Sequence, residues 1–209
     1  MKIAVVCANG KAGRLIVKEA MARGADVTAI VRGENKSAAK KAVCKDIFSL
    51  TAADLAGFDV VVDAFGAWTP ETIPGIPQAV RHLCALLSGS NTRLLIVGGA
   101  GTLYVDKEHA LRVSDGPDFP DAFKPLAAAH DQALAFLRGC PDVRWTYVSP
   151  AADFQAEGPR TGKYILGGEE LTVSHSGQSV VSYADYAIAM IDEAMSGQHI
   201  GQRISIVQA

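Results

Sequence analysis

The opening of the chain, residues 1–32, constrains the fold more than any other part. An apolar run at residues 3–6 is followed by the turn sequence CANGKAG, an amphipathic stretch and a second apolar run that ends at Arg32. This order predicts a strand, a glycine turn, a helix and a second strand. A turn at the carboxyl end of a parallel strand leaves the first N–H groups of the next helix unpaired, and a pyrophosphate fits there. We therefore predict a nucleotide site at this turn.

Two glycines in the turn have distinct predicted roles. Gly10 lets the backbone approach the phosphates, and Gly13 lets the helix pack closely against the strand. Cys7 replaces the first glycine of the usual GxxGxxG form, and because its Cβ disfavours left-handed conformations we expect a negative φ there. The other predicted cofactor contacts in the turn are Asn9, Lys11 and Ala12. A turn of this shape that has lost its ligand is the alternative interpretation.

Length and composition indicate a single globular domain. The chain has 209 residues, 49% of them hydrophobic and 20% charged, which is enough for one substantial core. The net charge of −2 leaves no electrostatic footprint for nucleic acid, so we expect no such partner. Because the apolar stretches have strand length and the chain begins directly with a strand, we expect neither a membrane span nor a secretory signal, and predict a cytoplasmic location. The oligomeric state is not indicated.

The cysteines and histidines do not form a metal-binding pattern. Cys7, Cys44, Cys84 and Cys140 show no CxxC pairing and are predicted to be reduced thiols in the core. The five histidines are dispersed, and each is interpreted as an ordinary surface or hydrogen-bonded histidine. No metal site is predicted.

Strand and helix patterns alternate along the rest of the chain. Further strands are predicted at residues 42–44, 58–64, 93–98, 143–148 and 203–207, and the clearest helices at residues 78–87, 124–138 and 182–195. The alternation predicts an α/β fold, a Rossmann-like doubly wound parallel sheet with helices on both faces. Residues 104–121 and 150–177 are richer in Gly, Pro and charge. We interpret them as substrate-side loops, with surface connections of no consequence as the alternative.

Several longer stretches point to one family. They are ANGKAG, VTAIVR, VVVDAFGA, RLLIVGGAGTLYVD, FPDAFKP, WTYVSPAADF, RTGKY and SYADYAIA. With them the chain resembles, nearly end to end, the atypical short-chain dehydrogenase/reductase proteins of the NmrA-like, NAD(P)H-binding group. Within that group it is most similar to small bacterial NADH-flavin reductase-like proteins related to biliverdin reductase B. The resemblance implies a Rossmann-like NAD(P)-binding domain with a small C-terminal substrate lobe.

Arg32, at the end of the second strand, indicates the form of the cofactor. An acidic residue there binds the ribose 2′-hydroxyl of NAD, whereas arginine accommodates the 2′-phosphate of NADP. Lys11 adds a positive charge, so we predict NADP(H) in preference to NAD(H), with a solvated arginine as the alternative. The later predicted cofactor contacts are Asp46, near the adenine in similar proteins, then Ala64, Phe65, Gly66, Gly98, Gly99, Ser149, Pro150 and Ala151. For the glycines, a tight exit from strand to loop is an equal alternative.

The catalytic residues are the least defined part of the site. Active short-chain dehydrogenases typically use a YxxxK pair on a helix, in which the lysine lowers the pKa of the tyrosine, and this chain lacks that pair. Tyr104 is followed by Glu108 where the lysine would stand. We take Tyr104 and Lys124 as the candidate catalytic residues, the latter as a cofactor-side lysine. A solvated lysine at a helix start is the alternative.

The absence of the YxxxK pair does not exclude a reductase, because hydride transfer from nicotinamide to flavin requires only that the rings stack and that water is excluded. We predict a reductase that passes hydride from NADPH to a flavin, bound as a substrate and not as a prosthetic group, or to a similar planar electron acceptor. Phe154, Arg160 and Tyr164 are predicted on the substrate side, with lobe core as the alternative for both aromatics. The alternative function is a non-catalytic NADP(H)-binding redox sensor, and a sugar-nucleotide epimerase is a weaker one.

Overall fold

Ten strands and five α-helices alternate along the computed structural model, which describes residues 1–209. The strands are β1 (Lys2–Val6), β2 (Asp26–Val31), β3 (Lys41–Cys44), β4 (Val60–Asp63), β5 (Arg93–Val97), β6 (Arg144–Ser149), β7 (Asp153–Gln155), β8 (Tyr164–Gly167), β9 (Val180–Ser182) and β10 (Gln202–Gln208). The helices are α1 (Lys11–Ala22), α2 (Ala52–Leu55), α3 (Gly75–Leu87), α4 (Lys124–Arg138) and α5 (Tyr183–Ser196).

Eight of the strands form the main sheet, in the order β3-β2-β1-β4-β5-β6-β10-β8. All neighbours run parallel except the edge strand β8, which is antiparallel to β10. The strand order reverses between β1 and β4, and open α/β sheets bind ligands at such a reversal, beyond the carboxyl ends of the strands. The predicted Rossmann-like α/β fold is confirmed.

Apolar side chains on the two faces of this sheet form two separate cores. Successive residues of a strand point to opposite faces, so in β1 Ile3 and Val5 enter one core, whereas Ala4 and Val6 enter the other. Helices α1 and α5 cover the first face, and α2, α3 and α4 cover the second. Because both faces are covered, the central strands are nearly continuous apolar runs, which is the pattern that predicts them.

Residues 150–177 differ from the predicted loop. They contain β7, which pairs with β9 in a separate two-stranded parallel sheet, and β8, which extends the main sheet. The loop prediction was wrong for these two strands, because β7 has three residues and β8 only four, and pairing with distant strands stabilises them. The implied C-terminal lobe is therefore partly continuous with the main sheet.

All four cysteines are free thiols, but one of them lies outside the core. Cys44 is exposed on the edge strand β3, so its predicted core position was wrong. No group of three or more His, Cys, Asp or Glu side chains is arranged to hold a metal ion. No helix combines the length and the apolar character that crossing a membrane requires.

Candidate functional site

A large cleft lies at the carboxyl ends of the central strands. Its volume is about 1440 Å³, and it is lined by the loops that follow β1, β2, β4, β5 and β6. Ligand pockets typically measure about 300–1,000 Å³, so this cleft has room for more than one small molecule. The predicted cofactor contacts that line it are Cys7, Asn9, Gly10, Lys11, Ala12, Arg32, Asp46, Ala64, Phe65, Gly66, Gly98, Gly99, Pro150 and Ala151.

Cys7 adopts a left-handed backbone conformation despite its side chain. Its φ is 59°, so the predicted negative φ was wrong. The carbonyl oxygen of Cys7 accepts a hydrogen bond of 3.0 Å from the Gly10 N–H, and this closed turn determines the conformation. A non-glycine residue in this region costs roughly 1–3 kcal/mol and persists where the surrounding structure over-determines it. Burial raises the pKa of the Cys7 thiol to about 12, so the thiol remains protonated.

The N-terminus of α1 has the features of a phosphate site. Its N-cap residue Gly10 has no side chain to bond the free N–H groups, and the first turn of the helix contains no acidic residue. Gly13 packs against the turn so closely that a Cβ would lie 2.7 Å from the Cys7 oxygen and 3.0 Å from Ala8 Cα. Free N–H groups, a partly positive helix end and close backbone packing are how dinucleotide-binding turns hold pyrophosphate. The residues present therefore fit a dinucleotide.

Asn9 attaches the loop after β2 to this turn. Its Nδ2 donates to the Glu34 carbonyl oxygen at 2.8 Å, and its Oδ1 accepts from the Lys36 N–H at 2.7 Å. Arg32, at the start of the same loop, is exposed, lines the cleft and takes part in no salt bridge. Its guanidinium is therefore available to an anion. Lys11, by contrast, forms an exposed ion pair of 3.1 Å with Glu157.

Asp46 lines the part of the cleft beside β3 and also shapes the backbone there. Its Oδ1 accepts a hydrogen bond of 2.9 Å from the Phe48 N–H and so caps a short 3-10 turn. Phe48 in turn contacts Phe65 edge to face, with 6.2 Å between the ring centroids. This end of the cleft therefore combines a carboxylate with apolar ring surfaces.

Two hydrogen-bonded rings, of which His130 lines the cleft, lie behind the loop that follows β5. The Tyr147 hydroxyl accepts a hydrogen bond from the Gly99 N–H at 3.2 Å and lies 2.9 Å from His130 Nδ1. A Cβ on Gly98 would overlap the Tyr147 ring, and one on Gly99 would lie 2.7 Å from His130 Cδ2. The two rings therefore leave no room for a side chain at Gly98 or Gly99. This holds whether the glycines also contact the cofactor or only form a tight exit from the strand. His130 lines the cleft, which its position in α4 does not signal in the sequence.

Aromatic side chains make up much of the remaining wall. They are Phe48, Phe65, Trp68, Phe119, Phe123, Phe154 and Tyr183. Phe154, predicted on the substrate side, lines the cleft and also packs on Tyr183, with 4.0 Å between the ring centroids. Its contact with a substrate remains a prediction. Trp68 is 68% exposed, and sequence reasoning missed it together with Phe119, Phe123 and Tyr183. Aromatic residues in loops after strands are too common to mark a site by themselves.

Both predicted catalytic residues lie outside the cleft. Tyr104 stacks on His109 with 4.4 Å between ring centroids. Lys124 Nζ pairs with Asp121 at 2.6 Å on the surface. Neither side chain is among those that line the cleft. The geometry therefore gives no support to a catalytic role for either residue.

Four further predicted residues do not line the cleft, and one of them, Gly13, is packed beneath the turn. Arg160 Nη2 pairs with Glu19 of α1 at 3.0 Å, and the Tyr164 hydroxyl donates to Asp192 of α5 at 2.8 Å. Both side chains thus connect the C-terminal segment to the helices α1 and α5 on one face of the sheet. Ser149 is fully buried behind Pro150 and Ala151, and its Oγ has no hydrogen-bond partner.

Asp63 gives the stability of the fold a pH dependence. Its buried carboxyl accepts a hydrogen bond of 2.9 Å from the Phe65 N–H, and burial raises its pKa to about 7. The folded protein thus keeps a proton that the unfolded chain releases near pH 4, so this group favours folding at low pH and loses that contribution as the pH rises towards 7.

We expect Asp63→Asn to raise the free energy of unfolding more at pH 8 than at pH 5. The difference between the two increases should be about 2–4 kcal/mol. Urea denaturation at the two pH values measures this difference. Asp118→Asn, at an exposed position, is the matched control and should show no such difference. An equal effect of Asp63→Asn at both pH values would contradict the assignment.

The fold and the cleft together define a dinucleotide-binding protein of the Rossmann type, and the comparisons with known proteins agree. Residues 7–194 match the model of the NAD(P)H-binding family. The uncharacterized protein YwnB of Bacillus subtilis (strain 168) is 42% identical over 209 residues, which cover 99% of this chain and 98% of that protein. The chain belongs to the NmrA-like NAD(P)H-binding family, so the resemblance is confirmed.

Solved structures extend the similarity. The crystal structure of a candidate NADH-flavin reductase from Streptococcus pneumoniae TIGR4 is 52% identical and covers 100% of both chains, with a TM-score of 0.98. A candidate epimerase from Bacteroides thetaiotaomicron is 33% identical, covers 99% of this chain and 96% of its own, and has a TM-score of 0.86. The family and these neighbours support an NAD(P)H-dependent oxidoreductase.

Proposed function

We propose that the protein is an NADPH-dependent reductase that passes a hydride to a flavin or a similar planar acceptor. The observation that carries the proposal is the size and lining of the cleft. At about 1440 Å³ it exceeds what one ligand requires, and its wall beyond the predicted cofactor contacts includes Phe119 and the 49% exposed Phe123. Apolar ring surfaces left open in a cleft are suited to a flat aromatic molecule. The name of the Streptococcus pneumoniae neighbour agrees with this assignment.

The turn after β1 and the loop after β2 are assigned to the cofactor. The free N–H groups at the start of α1 bind the pyrophosphate, and Arg32 binds the 2′-phosphate that distinguishes NADPH from NADH. Asp46 lies on the adenosine side, and Pro150 and Ala151 form the wall beside the nicotinamide. When bound, the cofactor supplies the hydride, and these residues fix its position and exclude water.

Steady-state oxidation of NADPH, with and without FMN, FAD or riboflavin, tests the proposal. We expect oxidation that depends on a flavin and saturates with it. A reaction that continues without the protein is non-enzymatic and is subtracted. Tight NADPH binding without turnover on any of the three flavins would contradict the reductase and favour the redox sensor.

An epimerase is the second candidate, because one solved neighbour carries that name. The position of Tyr104 speaks against it. Sugar-nucleotide epimerases resemble those short-chain dehydrogenase/reductase members whose YxxxK tyrosine acts at the substrate. In this chain Tyr104 lies outside the cleft, against His109. Incubation with a UDP-sugar, followed by chromatography, should therefore yield no epimer.

Tyr104→Phe is expected to lower flavin-dependent turnover by less than about tenfold, equivalent to under about 1.4 kcal/mol. Loss of a general acid typically costs about 10²–10⁴-fold, and flavin reduction requires no side chain to deliver a proton. Lys124→Ala should change neither turnover nor the NADPH requirement, because Lys124 pairs only with Asp121. A thousandfold fall for Tyr104→Phe with intact cofactor affinity would show that an acid is required, and would favour a carbonyl substrate.

A further inference from the structure

His130, which lines the cleft, has one ring nitrogen to which no protein group is hydrogen-bonded. The residue lies in α4 and lines the cleft behind Gly99. Its Nδ1 is engaged, 2.9 Å from the Tyr147 hydroxyl, whereas its Nε2 has no protein partner. The ring can approach the cleft only because residue 99 is glycine, since a Cβ there would lie 2.7 Å from His130 Cδ2 and 3.3 Å from its Nε2.

Tyr147 determines which ring nitrogen of His130 carries the proton. The Tyr147 side chain is fully buried, and its oxygen already accepts the Gly99 N–H. Its own hydrogen therefore has one available acceptor, which is His130 Nδ1. With Nδ1 accepting, the proton of the neutral imidazole is on Nε2 and faces the cleft. The opposite tautomer would leave the buried hydroxyl hydrogen without a partner, which is costly.

His130 is neutral at physiological pH. Burial lowers the pKa of its imidazole to about 4, so the ring offers one N–H and carries no charge. Such a ring strengthens a hydrogen bond to an oxygen that gains negative charge, without having to release its proton. The carboxyl groups that line the cleft, such as Asp46 and Asp153, are not hydrogen-bonded to it.

We propose that the Nε2–H of His130 donates a hydrogen bond to the acceptor molecule, at a carbonyl oxygen or ring nitrogen that becomes negatively charged on reduction. This role rests on the proposed function and deepens it, because it names the feature that a substrate must carry. The pyrimidine edge of a flavin has such a feature. His130 is then a catalytic residue that touches the substrate, and Tyr147 is a positioning residue that acts through it.

The reaction balances without a protein acid. The C4–H bond of the nicotinamide breaks, and its electron pair and hydrogen form a new N–H bond at flavin N5. NADPH is oxidised to NADP⁺, the flavin is reduced by two electrons, and the negative charge appears at its N1 and C2 oxygen. Water supplies the second proton, while His130 keeps its own and stabilises that charge through the hydrogen bond.

Two substitutions of similar polarity separate this role from a structural one. In His130→Asn the shorter amide still accepts from the Tyr147 hydroxyl but does not reach the position of Nε2. In His130→Gln the longer amide reaches that position and keeps a donor there. We expect His130→Asn to lower kcat with FMN or riboflavin about tenfold, with the Kd for NADPH unchanged within about twofold. We expect His130→Gln to retain kcat within about threefold.

The possible outcomes distinguish a failure of the proposed His130 role from a failure of the proposed reductase activity. Turnover of His130→Asn equal to that of the unmodified protein would overturn the role of His130 and leave the reductase in place. Equal losses in both variants, together with weaker NADPH binding, would show that His130 is only structural. No turnover by the unmodified protein would overturn the proposed function and this role with it.

The tautomer is tested separately by ¹⁵N NMR of the histidine ring, which distinguishes a protonated Nε2 from a protonated Nδ1. We expect His130 with the proton on Nε2 in the unmodified protein and a mixture of tautomers in Tyr147→Phe. A proton on Nδ1 in the unmodified protein would overturn the proposal even if the protein is active.

Discussion

Gly13→Val is expected to reduce NADPH affinity by at least about 100-fold, or more than about 2.7 kcal/mol of binding free energy. A Cβ at Gly13 would lie 2.7 Å from the Cys7 oxygen and 3.0 Å from Ala8 Cα, both of them backbone atoms. The helix must therefore move away from the strand, and its free N–H groups leave the position that holds the pyrophosphate. Calorimetric titration with NADPH measures the loss, and circular dichroism reports whether the variant is folded.

Gly10→Val provides the same test with less risk to the fold. The Gly10 backbone has φ −65° and ψ 162°, which valine adopts readily, and a Cβ there would lie 3.3 Å from the Cys7 oxygen. Its branched side chain then stands at the phosphate position. Gly168→Val is the matched control, because a Cβ at Gly168 would meet nothing within 4 Å and the residue does not line the cleft. If Gly13→Val and Gly10→Val both fold and bind NADPH normally, the phosphate site is elsewhere.

Arg32→Ala is expected to weaken NADPH binding by about one to two decades while NADH binding changes little. A charge-assisted hydrogen bond to the 2′-phosphate contributes roughly 1.5–3 kcal/mol, and NADH has no such phosphate. Arg32 lines the cleft, and Asn9 holds its loop through Glu34 and Lys36. The removal of Arg32 therefore leaves the turn itself intact.

Calorimetric titrations of both cofactors against Arg32→Ala and Arg14→Ala decide this assignment. Arg14 carries the same charge in α1 but does not line the cleft, so it controls for the change in net charge. Only Arg32→Ala should change the ratio of the two affinities. Equal losses of NADPH and NADH would mean that Arg32 does not recognise the 2′-phosphate.

Much of the framework follows from local sequence. The apolar run, glycine turn and amphipathic stretch at the start of the chain predict β1, α1 and β2, and the spacing of apolar residues predicts α4 at residues 124–138, as observed. The loops after successive parallel strands meet at one edge of the sheet, so the predicted cofactor contacts in those loops line one cleft. Their contact with a cofactor remains a prediction.

Other features depend on partners far along the chain. Nothing adjacent to Tyr164 predicts that β8 pairs with β10, or that the Tyr164 hydroxyl bonds Asp192, outside the lining of the cleft. The path of a long loop likewise determines which residues contact Tyr104, among them His109 and Glu170. The sequence therefore places these residues in the correct segments but does not show which way their side chains point.

The sequence by itself determined the strands β1 to β6 and β10, the helices α1, α3, α4 and α5 and the Rossmann-like turn, because hydrophobic period and turn chemistry are properties of neighbouring residues. Its longer motifs indicated the family. Only the tertiary structure decided that Cys7 adopts a φ of 59° and that His130 reaches the cleft. The first depends on the closure of the turn by Gly10, and the second on the absence of a side chain at Gly99, 31 positions before His130. Contacts between residues so distant in sequence arise from the packing of α4 against the sheet, which no local pattern encodes.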